Sequence, residues 1–371
     1  MHQHFVPTAL ALAAALSLSA CGDAPPAPGA TPVETPAADA AASGRPAVVT
    51  VAEAFQSAMT PDDNIDSLAA WRNGDGETWV FATAKSTHQL VVYDGDSGKT
   101  LRTVGSEGAG AGQFQRPNGV FVVDDLLFVV ERDNRRVQAF SLPELEPAGH
   151  FGSEHLVLPY GLWMHPVEGG YDLYVTDAYM AGEDADGEDI LPPFEELDER
   201  VKRFHVAPDI SASFLGAFGD TGEEGALRGV ESIWGDPDND RLLIAEEDET
   251  HANEFKVYDL AGRYQRVFGS DVLDEEPEGI SLYTCGSDGW WITTAQASDT
   301  VTFHLFDRRS LEHVGAFRGD TVANTDGIWL QQAGTRSFPQ GAFYAVHDDQ
   351  GLVGFDWRDI ASALDLPACA D

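Results

Sequence analysis

Pro117-Asn118-Gly119-Val120, the centre of the stretch Gly112-Gln113-Phe114-Gln115-Arg116-Pro117-Asn118-Gly119-Val120, returns along the chain in altered form. Its copies are Leu158-Pro159-Tyr160-Gly161-Leu162, Gly229-Val230-Glu231-Ser232-Ile233, Glu276-Pro277-Glu278-Gly279-Ile280 and Asn324-Thr325-Asp326-Gly327-Ile328, with Asp66-Ser67-Leu68 a weaker first one. Counted at the polar residue they fall at 66, 118, 160, 231, 278 and 326, giving spacings of 52, 42, 71, 47 and 48. Each is followed by an apolar strand such as Leu127-Phe128-Val129-Val130, a polar turn, and a second strand such as Arg136-Val137-Gln138-Ala139-Phe140. Helical periodicity is nearly absent. Four-stranded propeller blades recur at about 40 to 50 residues. Six copies predict an all-β, six-bladed β-propeller over residues 48–371.

Two features depart from the regular repeat. Val48-Val49-Thr50-Val51 precedes the first copy and is expected to add a strand to the last blade, closing the ring and covering its edges. The long spacing of 71 holds an insertion from Ala178 to Arg200 with nine acidic residues, expected to be a solvated surface loop.

Upstream of the ring the chain reads differently. Phe5 to Ser19 is an apolar run too short to span a bilayer but suited to a signal sequence. It ends in Leu18-Ser19-Ala20-Cys21, which resembles a bacterial lipoprotein signal. Residues 1–20 are therefore expected to be removed and Cys21 lipidated, and residues 21–47, rich in Ala and Pro, to form a disordered, flexible tether. The expected location is extracytoplasmic, membrane-anchored through lipid alone. In an oxidising compartment the remaining cysteines, Cys285 and Cys369, are able to pair.

The 62 acidic and 22 basic residues give a formal charge of −40. Nucleic acid is excluded as a partner, since DNA affinity is mostly phosphate neutralisation by Lys and Arg. An anionic ligand would need bound cations to reverse the local field.

In a propeller blade the first strand lines the channel and the second runs antiparallel beside it, so the start of one and the end of the other share one mouth. The first position reads Asp66, Asn118, Tyr160, Glu231, Glu278 and Asp326; the second, each to within one residue, reads Lys85, Arg132, Asp177, Glu247, Gln296 and Asp348. All are polar. The basic pair comes from blades one and two, and blades four to six supply mainly carboxylates. Crowded carboxylates call for hard cations, and Ca²⁺ takes six to eight oxygen ligands. No Cys or His cluster invites a softer metal.

These blocks, together with Ile244-Ala245-Glu246-Glu247-Asp248-Glu249 and Phe343-Tyr344-Ala345-Val346-His347-Asp348, resemble in order and spacing those of the β-propeller phytases, Ca²⁺-dependent phosphatases of inositol hexakisphosphate. The resemblance implies several Ca²⁺ ions held among Asp66, Glu231, Glu247, Glu276, Glu278, Gln296, Asp326 and Asp348. It implies phosphate binding and catalysis by Lys85, Arg132, Tyr160 and Glu231, with a metal-activated water as nucleophile. The third blade departs, with Thr176-Asp177-Ala178-Tyr179 where that family has a phosphate-contacting lysine. The expected substrate is a small phosphate ester, an inositol phosphate first, and the expected assembly a monomer. Blade two also resembles an NHL repeat, which keeps a non-catalytic binding propeller as an alternative. A Ca²⁺-dependent lactonase of the gluconolactonase type is a third reading.

Overall fold

The computed structural model describes residues 46–248 and 251–369. The signal segment, Cys21 and the tether as far as residue 45 lie outside them. Six antiparallel sheets follow one another around a central axis. Blade one is Ile65–Arg72, Thr78–Ala84, Gln89–Asp94 and Thr100–Val104; blade two is Pro117–Val123, Leu126–Glu131, Arg136–Ser141 and Glu146–Phe151. Blade three is Pro159–Val167, Gly170–Asp177, Val201–Val206 and Ala212–Phe218. Blade four is Ile233–Asp236, Arg241–Glu246, Glu254–Tyr258 and Tyr264–Phe268; blade five is Glu276–Cys285, Asp288–Ala297, Thr300–Asp307 and His313–Arg318. The last blade has Ile328–Gln331, Ala342–His347 and Gly351–Asp356. The six-bladed β-propeller read from the repeats is the fold.

Closure differs from expectation in one respect. Val48–Thr50 lies parallel to His313–Arg318 as a fifth strand of blade five, and the outer strand of blade six is instead Phe55–Gln56, antiparallel to Gly351–Asp356. Between them Glu53 reaches back. Its carboxylate accepts the backbone N–H groups of Asp320, Thr321 and Val322 at 2.9 to 3.1 Å, pinning the segment across both blades. Burial would raise its carboxyl, yet these donors outweigh it and hold it below the usual range. At the other terminus Cys285 and Cys369 form a disulfide that ties the tail to blade five.

The repeated small residue after each polar one has a physical cause. In blades one, two, three and five the first strand carries a bulge at this point, so that Asp66-Ser67, Asn118-Gly119, Tyr160-Gly161 and Glu278-Gly279 each oppose a single residue of the second strand. The extra residue re-aims the polar side chain into the mouth. Its small successor faces the next blade. A Cβ on Gly161 would lie 2.2 Å from the carbonyl oxygen of Glu231, one on Gly327 2.3 Å from that of Asp66, and one on Gly119 2.6 Å from that of Tyr160. The ring closes backbone to side-chain-free backbone.

Below these residues the channel narrows to a cavity of about 60 Å³ lined by Leu68, Val120, Leu162, Ile233, Ile280 and Ile328. Phe121, Trp234 and Trp329, from alternate blades, meet there with ring centroids 5.2 to 5.4 Å apart. Tilted and edge-on aromatic contacts of this kind pack tightly, and they plug the channel. A ligand entering at the mouth does not pass through.

The insertion forms a short hairpin, Gly182–Glu183 with Asp189–Ile190, and residues 181–190 are all exposed, as expected for a solvated loop. Its end is not. Arg200 is fully buried, and its guanidinium donates to the carbonyls of Asp177, Tyr179, Leu227 and Arg228, fastening the insertion to blade four.

Candidate metal centre

The bulges and the ends of the second strands bring the polar residues to one end of the channel in two groups. One is built around an ammonium. Lys85 Nζ lies 2.8 Å from Asp66 Oδ1 and 3.7 Å from Asp326 Oδ2. The Tyr160 hydroxyl is 3.5 Å from both Lys85 Nζ and Asp66 Oδ1. Burial alone would push the Lys85 ammonium down, but Asp66 and Asp326 outweigh it and hold it well above its ordinary value. Burial, then Asp66 and Glu231, pushes the Tyr160 hydroxyl far up, so it stays a donor at neutral pH.

The other group is purely acidic. One carboxylate oxygen each from Glu231, Glu247 and Glu278 lies within 4.8 Å of the others. These glutamates come from blades four and five, with Glu276 close enough to add to the repulsion on Glu247 and Glu278. Burial and then its acidic neighbours push Glu231 up to about 8 and Asp326 to about 7, and carry Glu247 and Glu278 well above the usual carboxylate range. Two side chains join the halves. Tyr160 hydrogen-bonds Glu231, and the Gln296 amide reaches both Glu278, at 3.4 Å, and Asp326.

This donor set fits Ca²⁺. At ligand distances of about 2.4 Å, two oxygens on one ion stand at most about 4.8 Å apart, a limit the three glutamate oxygens keep within. Every donor is a hard oxygen. Gln296 Oε1 is buried without a hydrogen-bond partner and adds a neutral ligand beside the three carboxylates. Buried polar groups are ordinarily satisfied, and here an unpartnered acceptor lies beside carboxylates that repel one another.

Two ring positions differ from the sequence reading, and Arg132 keeps its position but is engaged beside it. Asp348 is exposed and accepts the Gln350 amide at 3.0 Å; the residue facing Lys85 is its neighbour Asp349, held by Asn64 and Asn324. Both aspartates have left-handed backbone, with φ of 54° and 53°, and this tight turn swings the first outward and the second in. Arg132 pairs with Asp133 at 2.7 Å instead of with a mouth carboxylate. Asp177 is off by one: opposite Pro159 in the register, it corresponds to Ala84 and Glu131, and Ala178 holds the place of Lys85. Its buried carboxylate accepts the N–H groups of Val157 and Leu158 at 2.9 and 2.6 Å. Glu246 does the same for Arg228 and Gly229. These acids hold the segments that enter their blades.

Asn118 was within reach of the sequence and Asp349 was not. Asn118 is fully buried, neither its Oδ1 nor its Nδ2 has a partner, and the ring alignment names it. Asp349 carries no signal in the repeat, because only the turn geometry selects it over Asp348.

No family model matches this chain, and no curated protein matches it either. Among solved structures, it is similar to BBS1N in complex with ARL6DN, at 11% identity and a TM-score of 0.47 over 84% of this chain and 98% of that one. A nidogen/laminin complex matches at 17% and 0.45 over 70% of this chain and 81% of that chain. A catalytically inactive virginiamycin B lyase from Staphylococcus aureus with quinupristin matches at 14% and 0.47 over 79% and 81%. At these values the likenesses carry no inference about activity; what the chain itself establishes is a six-bladed β-propeller with an acidic mouth above a plugged channel.

Proposed function

We propose that the protein is a Ca²⁺-dependent hydrolase of phosphate monoesters, with inositol hexakisphosphate the first substrate to try. The observation that carries this reading is the glutamate triad, Glu278 buried and Glu231 and Glu247 half-buried, whose carboxylate oxygens come within reach of a single hard cation. Glu231, Glu247 and Glu278 would hold it, with Gln296 beside them. Bound Ca²⁺ supplies Lewis-acid polarisation of phosphoryl oxygens and a water of lowered pKa.

The chain's own residues supply the rest. Lys85 Nζ and the Tyr160 hydroxyl, 3.5 Å apart, are spaced to donate to one phosphoryl group. The aromatic plug keeps the ester at the mouth, beside the glutamates. Arg132 would have to release Asp133 to reach a substrate, so its part is in guiding a multiply charged ester. The Cys285–Cys369 bridge supports an oxidising, extracytoplasmic location for the lipid-anchored chain.

One observation favours a second reading. Lys85 is engaged by two aspartates and Arg132 by a third, an economy that suits a neutral substrate such as a lactone better than a phosphate dianion. Phosphate release from inositol hexakisphosphate and from a simple phosphomonoester, and opening of an aldonolactone, each with Ca²⁺ or chelator, separate the two. Phosphate release that ignores chelator would overturn the metal reading. Lactone opening without phosphate release would move the assignment to the second, and neither activity would leave a binding propeller.

A further inference from the structure

We propose that Lys85 stands in a second cation subsite as a built-in counter-ion, and that removing its ammonium converts this half of the mouth into a divalent-cation site. The inference rests on reading the mouth as a cation centre and concerns the protein free of substrate.

Oxygens are already gathered around the ammonium. Asp66 Oδ1 lies 2.8 Å from Nζ, the Tyr160 hydroxyl 3.5 Å and Asp326 Oδ2 3.7 Å. Asp349 adds a further charge within electrostatic reach of Lys85 and Asp66. Ca²⁺ at the position of Nζ would need these oxygens at about 2.3 to 2.6 Å, a contraction of roughly 1 Å or less for most of them. Asp66 is 1% exposed and Lys85 7%, so bulk water screens this pair little, while Asp326 is half-buried. Taking away one partner of a buried ion pair leaves an uncompensated charge.

An acidic cluster alone would not make a site. The independent observation is Asn118, the ring residue between Asp66 and Tyr160, which is fully buried and has neither side-chain oxygen nor nitrogen bonded. Its amide oxygen is a neutral donor of the kind Ca²⁺ accepts beside carboxylates, and the bulge it shares with Gly119 matches the one that carries Asp66. The two halves of the mouth then differ in where their cation comes from. The glutamates of blades four and five await a cation from solution, while the aspartates of blades six and one have theirs attached to the chain.

The test counts ions. The full chain and its Lys85→Met variant are stripped with chelator and titrated calorimetrically with CaCl₂. The variant is expected to bind one more Ca²⁺ per chain than the parent, and to show a larger Ca²⁺-dependent rise in melting temperature. Lys85→Arg should keep the parent's number, and Lys85→Met with Asp66→Asn should return to it. If Lys85→Met folds only with Ca²⁺, the ions retained after gel filtration are counted by atomic absorption, and the same extra ion is expected. A folded Lys85→Met that binds no more than the parent would overturn the inference, as would a variant that stays unfolded in Ca²⁺ while the double variant folds. The two proposals fail separately. A parent that binds no Ca²⁺ beside a variant that binds one refutes the hydrolase reading alone, and a parent that binds Ca²⁺ beside a variant with no gain refutes this one alone.

Discussion

Replacing Gly161 by alanine tests how the ring and the glutamate triad depend on each other. The added Cβ would lie 2.2 Å from the Glu231 carbonyl oxygen and 3.1 Å from its carbon. Ordinary carbon–oxygen approaches stop near 3.3 Å, so blades three and four must separate locally by about 1 Å. Because the obstacle is backbone, no side chain can swing aside. Overpacking of this kind costs about 1–3 kcal/mol, and the upper end is expected here, a fall in melting temperature of about 5 °C for a domain this large. The same displacement carries Glu231 away from Glu247 and Glu278, whose oxygens are spaced for one ion. Ca²⁺ affinity should therefore drop at least about tenfold, which is about 1.4 kcal/mol. Scanning calorimetry with and without Ca²⁺, followed by titration, reads both effects. Gly74→Ala serves as the control, since a Cβ there meets nothing within 4 Å. A Gly161→Ala protein that melts with the parent and binds Ca²⁺ equally well would refute the closed-ring argument.

Three further outcomes follow from the same structure. Glu231 and Asp326 titrate near 8 and 7 in the folded chain, above their unfolded values, so their contribution is intact below about pH 4 and is lost as pH rises through 7 to 8. Chelated protein should melt progressively lower between pH 5 and 8, and excess Ca²⁺ should flatten that decline; a flat profile in chelator counts against burial of these acids. Glu247→Gln should weaken Ca²⁺ binding while raising the melting temperature of the chelated protein at pH 8, because one repelling charge is gone; a lower chelated melting temperature would contradict this. Cys285→Ser opens a loop spanning 84 residues and should cost about 2–4 kcal/mol, read by denaturant titration. No change in midpoint would mean the tail is held by packing alone.

The blades were legible because each must present the same polar residue, small residue and apolar run to the channel, and that demand writes a period into the chain. Less legible was anything set by a single bond. The end of a second strand is set by its pairing register, and Asp177, opposite Pro159, is as polar as a mouth residue, which is how it stood where Ala178 belongs. Asp348 and Asp349 are chemically identical neighbours, and two left-handed residues decide between them. Arg132 has the right position for the ring, but an adjacent aspartate competes for it at 2.7 Å. Val48–Thr50 was recognisable as a closing strand, though not as belonging to blade five, because a parallel fifth strand answers to no repeat. The aromatic plug was hidden for a different reason. Phe121, Trp234 and Trp329 look like ordinary core residues until the sixfold arrangement brings alternate blades together.

The seam also sets an order of events. Val48–Thr50 and Phe55–Gln56 leave the ribosome before any blade, yet their partners, His313–Arg318 and Gly351–Asp356, are made almost last. Pairings so distant along the chain form slowly, since a large loop must close before any contact rewards it. Blades one to four can collapse on local hairpins while the leading segment waits. Asp66 and Lys85 lie on one side of that gap, Asp326 and Asp349 on the other. The ammonium-centred half of the mouth therefore comes into existence only when the last blade docks, whereas Glu231, Glu247 and Glu278 sit on neighbouring blades and meet earlier. An unfinished chain would carry the glutamates without their counterpart, so its affinity for a cation would report on how far assembly had gone.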